Sequence, residues 1–224
     1  MNRSDLHPFQ TRAIDFVTSK RRAALWIFLG AGKTIITLTA INDLLNASII
    51  KKVLIVAPLR VARSVWKQEA AKWGHLSGLR VSVATGTAKE RKAALAVDAD
   101  IYVTNKENTK WIVEQFSKTK HWPFDAVVLD EASAFKSQAT QRFRALRKVV
   151  AHTTVFIELT GTPAANSLMD VWSQVYLLDS GASLGRTITG YRQRFFTPDY
   201  FGYNWEIKPG SAEKIQELIK PLIL

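Results

Sequence analysis

Short runs of almost unbroken apolar, often β-branched residues alternate along this chain with longer stretches in which apolar positions recur every three or four residues. The runs are "AALWIF" (23–28), "VLIVA" (53–57), "VSVA" (81–84), "IYVT" (101–104), "AVVLD" (126–130) and "TVFIELT" (154–160). Runs that are apolar at nearly every position fit strands covered on both faces. Between them, "KTIITLTAINDLL", "VARSVWKQEAAKW", "TAKERKAALAV", "NTKWIVEQF" and "TQRFRALRKVV" carry the spacing of amphipathic helices. Strand and helix in strict alternation predict a βαβ series, hence an α/β fold with a mostly parallel sheet.

The rhythm changes after "LTGTP" (159–163) to helices and irregular segments. "FFTPDYFGYNWEIKPG" reads as a hairpin or extended insertion with exposed aromatic residues, and "SAEKIQELIKPLIL" as an amphipathic helix capped by Ser211 and running to Pro221. The division expected is therefore a lobe over residues 1–196 and a protrusion with a terminal helix over 197–224. Trp66, Trp73, Trp111 and Trp172 sit at helical spacing among apolar neighbours, which assigns them to packing before stacking on bases.

With 224 residues and 47% hydrophobic content, the chain has ample material for a buried core. No apolar run reaches the roughly 18 residues of a membrane span, and "MNRSDLHPFQ" lacks a secretory core, so a cytoplasmic protein is expected. It has no cysteine and four scattered histidines, which excludes a disulfide framework and a structural zinc site. Any metal chemistry falls to carboxylates and hydroxyls. The net charge of +12 favours a polyanionic partner.

Candidate chemistry begins at Ile27 to Thr34, "IFLGAGKT", a phosphate loop whose opening glycine is an isoleucine. A predicted strand precedes it and a predicted helix follows. Gly30 and Gly32 let the backbone wrap phosphates, Lys33 neutralises the β and γ phosphates, and the Thr34 hydroxyl holds Mg²⁺. Such a site needs an acidic partner at the end of another strand. "AVVLDEAS" supplies Asp130, placed to bind Mg²⁺ through water, and Glu131, placed to activate the attacking water.

The ordered set "LHPFQTRAI", "GAGKT", "VAPLRVARSVWKQE", "VTNKEN", "DEASAFKS" and "LTGTPAANSLMDVWSQ" resembles the first RecA-like lobe of superfamily 2 helicases and translocases. Within that superfamily it looks most like the SWI/SNF-like branch, including its phage-encoded members, and the match runs from Leu6 to about Phe196. The resemblance implies a RecA-like lobe that binds ATP and Mg²⁺ and acts on duplex DNA through backbone contacts. It implies that Gln10 reads adenine, that Thr160 and Thr162 couple the nucleotide site to DNA, and that Arg60, Arg63 and Asn105 lie on the DNA path. Phe28 stands where related sequences carry an acid, Ser133 replaces the histidine of the DEAH-like form, and Lys136 keeps the lysine of this branch.

These motors close ATP between two lobes, and 224 residues accommodate only the first. Loss of an arginine finger from the second lobe costs about 10³ to 10⁵ in rate, so weak hydrolysis by this lobe alone is expected. A competing reading, motivated by Phe28 and the single lobe, is a non-catalytic module that binds DNA or a host protein. A P-loop kinase is disfavoured by the "LTGTP" and "DEAS" pair.

Overall fold

Side chains alternate across a strand, so strands that are apolar throughout require cover on both faces. The computed structural model describes residues 1–117, 121–161, 168–200 and 204–224, and it meets that requirement with a three-layer arrangement. The elements are α1 (Pro8–Lys20), β1 (Arg22–Trp26), α2 (Lys33–Asn46), β2 (Val53–Ala57), α3 (Leu59–Lys72), β3 (Val81–Val83), α4 (Ala88–Ala96) and β4 (Ile101–Asn105). There follow α5 (Thr109–Ser117), β5 (Ala126–Asp130), α6 (Gln141–Val149), β6 (Val155–Thr160), α7 (Val171–Asp179), α8 (Ile188–Phe195), β7 (Phe196–Pro198), β8 (Trp205–Ile207) and α9 (Ser211–Ile219).

Six strands form one parallel sheet in the order β1-β6-β5-β2-β4-β3. This is the RecA-like α/β architecture that the alternating pattern and the motif set predict, and all six runs named from sequence are its strands. On one face α1, α2 and α3 pack through Ile14, Val17, Ile36, Ile41, Ala62 and Trp66 against Val53, Ile55 and Ile157. On the other, α5 to α9 pack through Ile112, Phe143, Trp172, Tyr191 and Ile215 against Leu54, Val56 and Phe156. Trp66 and Trp172 are fully buried, so these tryptophans are core, as their spacing indicates.

Two local expectations are corrected. The cap of α9 is Gly210, in the left-handed region at φ 72°, and Ser211 is the first helical residue, itself buried. A residue at positive φ ends the preceding turn at little cost only when it is glycine. The hairpin is real, with β7 and β8 antiparallel, but Phe195 and Phe196 at its base are buried against Tyr191; Tyr200, at 96% exposure, is the open aromatic residue. Phe201 to Tyr203 lie outside the described residues. The last residues add to the main sheet: Leu224 N–H donates to Ala24 O and Trp26 N–H to Leu224 O, beside β1.

Glu158 is an anomaly within β6. It shares a face with its neighbours Ala24 and Leu129, is 0% exposed, and neither carboxyl oxygen has a hydrogen-bond partner among the described residues. Burial raises its pKa well above the carboxylate range. An acid whose folded pKa exceeds its unfolded value binds more protons when folded, so its contribution is lost as pH climbs above about 4.3. Glu158→Gln is expected to match the native chain at about pH 4 and exceed it at about pH 8, at ~2–4 °C of unfolding midpoint per kcal/mol. Thermal unfolding across that range checks it, and a gap between the two proteins that is constant with pH would remove Glu158 as the titrating group.

Candidate nucleotide site

Parallel strands end at a common edge, and ligands of open α/β sheets bind outside those carboxyl ends. Here β1, β6 and β5 are neighbours, so the loops that follow them, carrying "IFLGAGKT", "LTG" and "DEAS", emerge side by side. In-register pairing sets Trp26 opposite Thr160 and Asp130 opposite Leu159.

The phosphate loop leaves β1 at Trp26 and enters α2 at Lys33. Gly30 (φ 86°) and Gly32 (φ 80°) both occupy the left-handed region, which only glycine enters without strain. At Gly32 there is a second reason: a Cβ there would lie 2.4 Å from Gln10 Nε2. Gln10 is buried, donates from Nε2 to Ala31 O at 3.2 Å and accepts from His7 N–H at 3.0 Å, so it braces the loop from α1. Lys33 turns back over the loop and donates to Ile27 O (2.9 Å) and Phe28 O (3.0 Å). Burial draws the Lys33 ammonium below its ordinary pKa, against the pull of Asp130 and Glu131. Thr34 lies next to it, half-buried in the first turn of α2. Ile27 is partly buried among core residues, whereas Phe28 and Leu29 are 71% and 79% exposed.

Across the edge, Asp130 ends β5 and is held by the indole of Trp66, whose Nε1–H donates to Oδ2 at 3.0 Å. Burial raises the Asp130 pKa, and that hydrogen bond opposes the rise. Glu131 adopts φ 64°, ψ 64°, a left-handed conformation unusual for a residue with a side chain. Its Oε1 accepts from Ser133 Oγ (2.5 Å) and from Thr160 Oγ1 (3.2 Å). Lys136 pairs with Asp170 at 3.5 Å, tying the turn after the acids to the entry of α7.

The structure thus gathers Gln10, Gly30, Gly32, Lys33, Thr34, Asp130, Glu131 and Thr160 at one edge of the sheet. Thr162 lies outside the described residues. Arg60 and Arg63 are exposed in the first two turns of α3, past the carboxyl end of β2. Asn105 ends β4 but is 7% exposed: its Nδ2 donates to Glu107 Oε2 (2.7 Å) and its Oδ1 accepts from Asn108 (2.6 Å). Its amide is spent on an internal turn and not presented to solvent. Two participants escape sequence reasoning. Ser133 reads as the loss of an imidazole, yet its hydroxyl holds Glu131; its position two residues on is the only signal. Trp66 lies 64 residues from Asp130, and nothing local in the sequence links them.

The donor set suits a hard cation: a hydroxyl at Thr34 and a carboxylate at Asp130, with no sulfur or clustered imidazole. The loop suits phosphate, since the space beside Gly30 is open and the N-terminus of α2 follows directly from Gly32.

Comparison with known proteins bears on the family and the fold. Protein p41 of Acyrthosiphon pisum secondary endosymbiont phage 1 is 40% identical over 197 residues, covering 84% of this chain and 42% of that protein. The DNA excision repair protein ERCC-6-like of Bos taurus is 26% identical over 99% of this chain and 19% of its own length. The DNA repair and recombination protein RAD54-like of Gallus gallus is 27% identical over 97% of this chain and 32% of its own. The Sulfolobus solfataricus SWI2/SNF2 ATPase core, solved in complex with dsDNA, superposes with a TM-score of 0.79 at 24% identity over 98% of this chain and 44% of that one. The chain therefore spans less than half the length of these relatives. Residues 28–224 match the family model of the SNF2-related domain, which takes in the phosphate loop, the acidic pair and the terminal helix: the chain belongs to the SNF2-related domain family.

Proposed function

We propose that this chain is the ATP-binding lobe of a DNA-dependent ATPase that tracks along duplex DNA, and that efficient hydrolysis needs a second RecA-like lobe. The observation that carries the reading is the hydrogen bond from Thr160 to Glu131, which joins the acidic pair to the strand leading into "LTGTP". When bound, Mg²⁺ and ATP supply the scissile phosphoanhydride and the charge neutralisation it needs. Thr34 and Asp130 would hold the metal, Lys33 the β and γ phosphates, and Gln10 the base. Glu131, with no ion pair among the described residues and oriented by Ser133 and Thr160, would accept the proton of the attacking water. Arg60 and Arg63 would contact DNA phosphates, with Asn105 acting on the same path by shaping the turn that carries Lys106. The exposed Phe28 and Leu29, at the mouth of the site, suit cover by another lobe in the same chain or in trans. The matched phage protein supports a phage-encoded origin and so a host cytoplasmic setting.

A second reading is a module that binds nucleotide and DNA, or a host protein, without turnover. It is favoured by two observations: Phe28 occupies the acid's place in the loop, and Lys33 is already satisfied by two loop carbonyls.

Hydrolysis separates the two. With Mg²⁺-ATP, turnover by this chain is expected to be slow and little changed by duplex DNA, and Lys33→Ala is expected to weaken nucleotide affinity at least about tenfold, or ~1.4 kcal/mol. Supplying the downstream half of a longer relative is expected to restore DNA-stimulated hydrolysis; its failure to do so would favour the non-catalytic module. The acid limb of Mg²⁺-ATP binding follows from Asp130, which must be ionised to hold the metal. Its pKa is raised by burial and restrained by Trp66, so Trp66→Phe lifts it further and the limb moves to higher pH. Titration of binding against pH checks the direction, and an unmoved limb would detach Asp130 from the metal. For DNA, the double variant Arg60→Ala, Arg63→Ala is expected to flatten the log–log salt dependence of duplex affinity by about two.

A further inference from the structure

Helices α5 and α6 lie side by side on the face of the sheet away from α1 to α3, and the seam between them is open to solvent. Three pockets of about 470, 200 and 330 Å³ line it. The first shares Lys110, Glu114 and Gln141 with the second, and the second shares Val113, Ser117 and Lys148 with the third. They therefore form one continuous groove. It begins at Lys106, near the carboxyl edge of the sheet, and ends at Phe116 and Trp122 on the far side.

The groove is amphipathic across its width. Its floor includes Val113, Ala145 and Val149, and its rims carry Lys106, Lys110, Arg142, Arg144 and Lys148 against only Glu107 and Glu114. Glu114 already pairs with Lys110 at 3.7 Å, while Arg144 and Lys148 have no acidic partner among the described residues. Apart from Lys106, which the proposed DNA path also claims, neither the nucleotide site nor the DNA contacts proposed above use these cations. We propose that the α5/α6 groove is a docking site for an extended acidic peptide with apolar anchor residues, carried by a protein partner.

The aromatic residues decide between a peptide and a nucleic-acid strand. Single-strand sites present a row of open ring faces. Here one face of Trp111 is covered by the Arg91 guanidinium, 4.2 Å from its centroid. Trp122 is engaged edge-on with Phe116 (6.1 Å) and Phe124 (5.0 Å). Among the described residues bases would find no row of open ring faces, whereas small pockets spaced along a seam accept alternate side chains of an extended chain. Each helix has nine residues, a length of about 14 Å, which matches about four residues of extended peptide between the end pockets. Acidic side chains on both flanks would meet the rim cations, and the anchors would enter the floor.

The test uses the full chain and a fluorescein-labelled octapeptide, Asp-Glu-Asp-Leu-Phe-Asp-Glu-Asp, followed by anisotropy at physiological salt without nucleotide. Binding is expected at about 1–100 μM, with at least a tenfold loss for the double variant Arg144→Glu, Lys148→Glu. The same loss is expected when Leu-Phe becomes Ser-Ser, and no loss for Lys214→Glu on the exposed side of α9. The charge-keeping pair Arg144→Lys, Lys148→Arg is expected to retain binding, and unchanged unfolding midpoints show that each variant is folded. Affinity weaker than about 1 mM overturns the proposal, as does an equal loss from Lys214→Glu. So does displacement of the peptide by oligo-dT whose own binding is abolished by the groove variant, since that makes the groove a strand track. Nucleotide is absent throughout, so the outcome is independent of the ATPase reading.

Discussion

The candidate site depends on the in-register parallel pairing of β5 with β6. Asp130 stands opposite Leu159, so the next residues on each strand, Glu131 and Thr160, emerge at the same height and can share a hydrogen bond. Side chains alternate with period two, so a slip of one residue would carry Thr160 to the opposite face and leave Glu131 with Ser133 alone. The pairing of β6 with β1 repeats the device: Trp26 is level with Thr160, and the phosphate loop starts where the other two loops start. Three segments distant in sequence meet because three strands stop together.

Charge and backbone conformation then divide the labour at that edge. Lys33 and Asp130 are both partly withdrawn from water, and in each burial works against the charged form. In each the other's field opposes that effect, and a dipole lies against the charged group: the loop carbonyls for Lys33, the Trp66 indole for Asp130. Glu131 is placed differently. Its left-handed backbone ends the strand abruptly, at a cost of order 1 kcal/mol, and turns the chain into the helical turn over Ala132–Phe135. A sharp exit keeps the carboxylate beside β6 instead of carrying it away with the loop.

The strands and helices were readable from the sequence because a doubly covered parallel sheet writes itself as solid apolar runs, and the intervening helices as three- and four-residue spacing. That Lys33, Thr34, Asp130 and Glu131 would stand at one edge of the sheet was readable because the proposed phosphate and Mg²⁺ chemistry asks for those residue types at neighbouring strand ends. What sequence does not carry is the third dimension of hydrogen bonding. Trp66 looks like any core tryptophan, and its polar edge matters only because α3, packed on β2 and β4, brings it within reach of the end of β5. Asn105 looks like a surface amide, and it turned inward because Glu107 and Asn108 sit within reach in the following turn. Ser211 resembles a helix cap, but the positive φ at Gly210 takes that role one residue earlier. In each case the residue type is compatible with two environments, and long-range packing or backbone handedness selects one.

The loop's departure from the usual pattern resolves along the same physical line. The two positions that must reach the left-handed region, and the one that must admit Gln10, are glycines. The position that became isoleucine packs its side chain against the core and contributes a carbonyl to Lys33. An opening glycine is dispensable where the entry backbone is unstrained, and Ile27 has no positive φ. The lysine that a phosphate would recruit is held by neutral carbonyls, which are weaker partners than a phosphate oxygen because only one side of the bond is charged. In the proposed reading Lys33 exchanges them for charged phosphate oxygens, and Gly30 and Gly32 already hold the turn of the loop in the left-handed region.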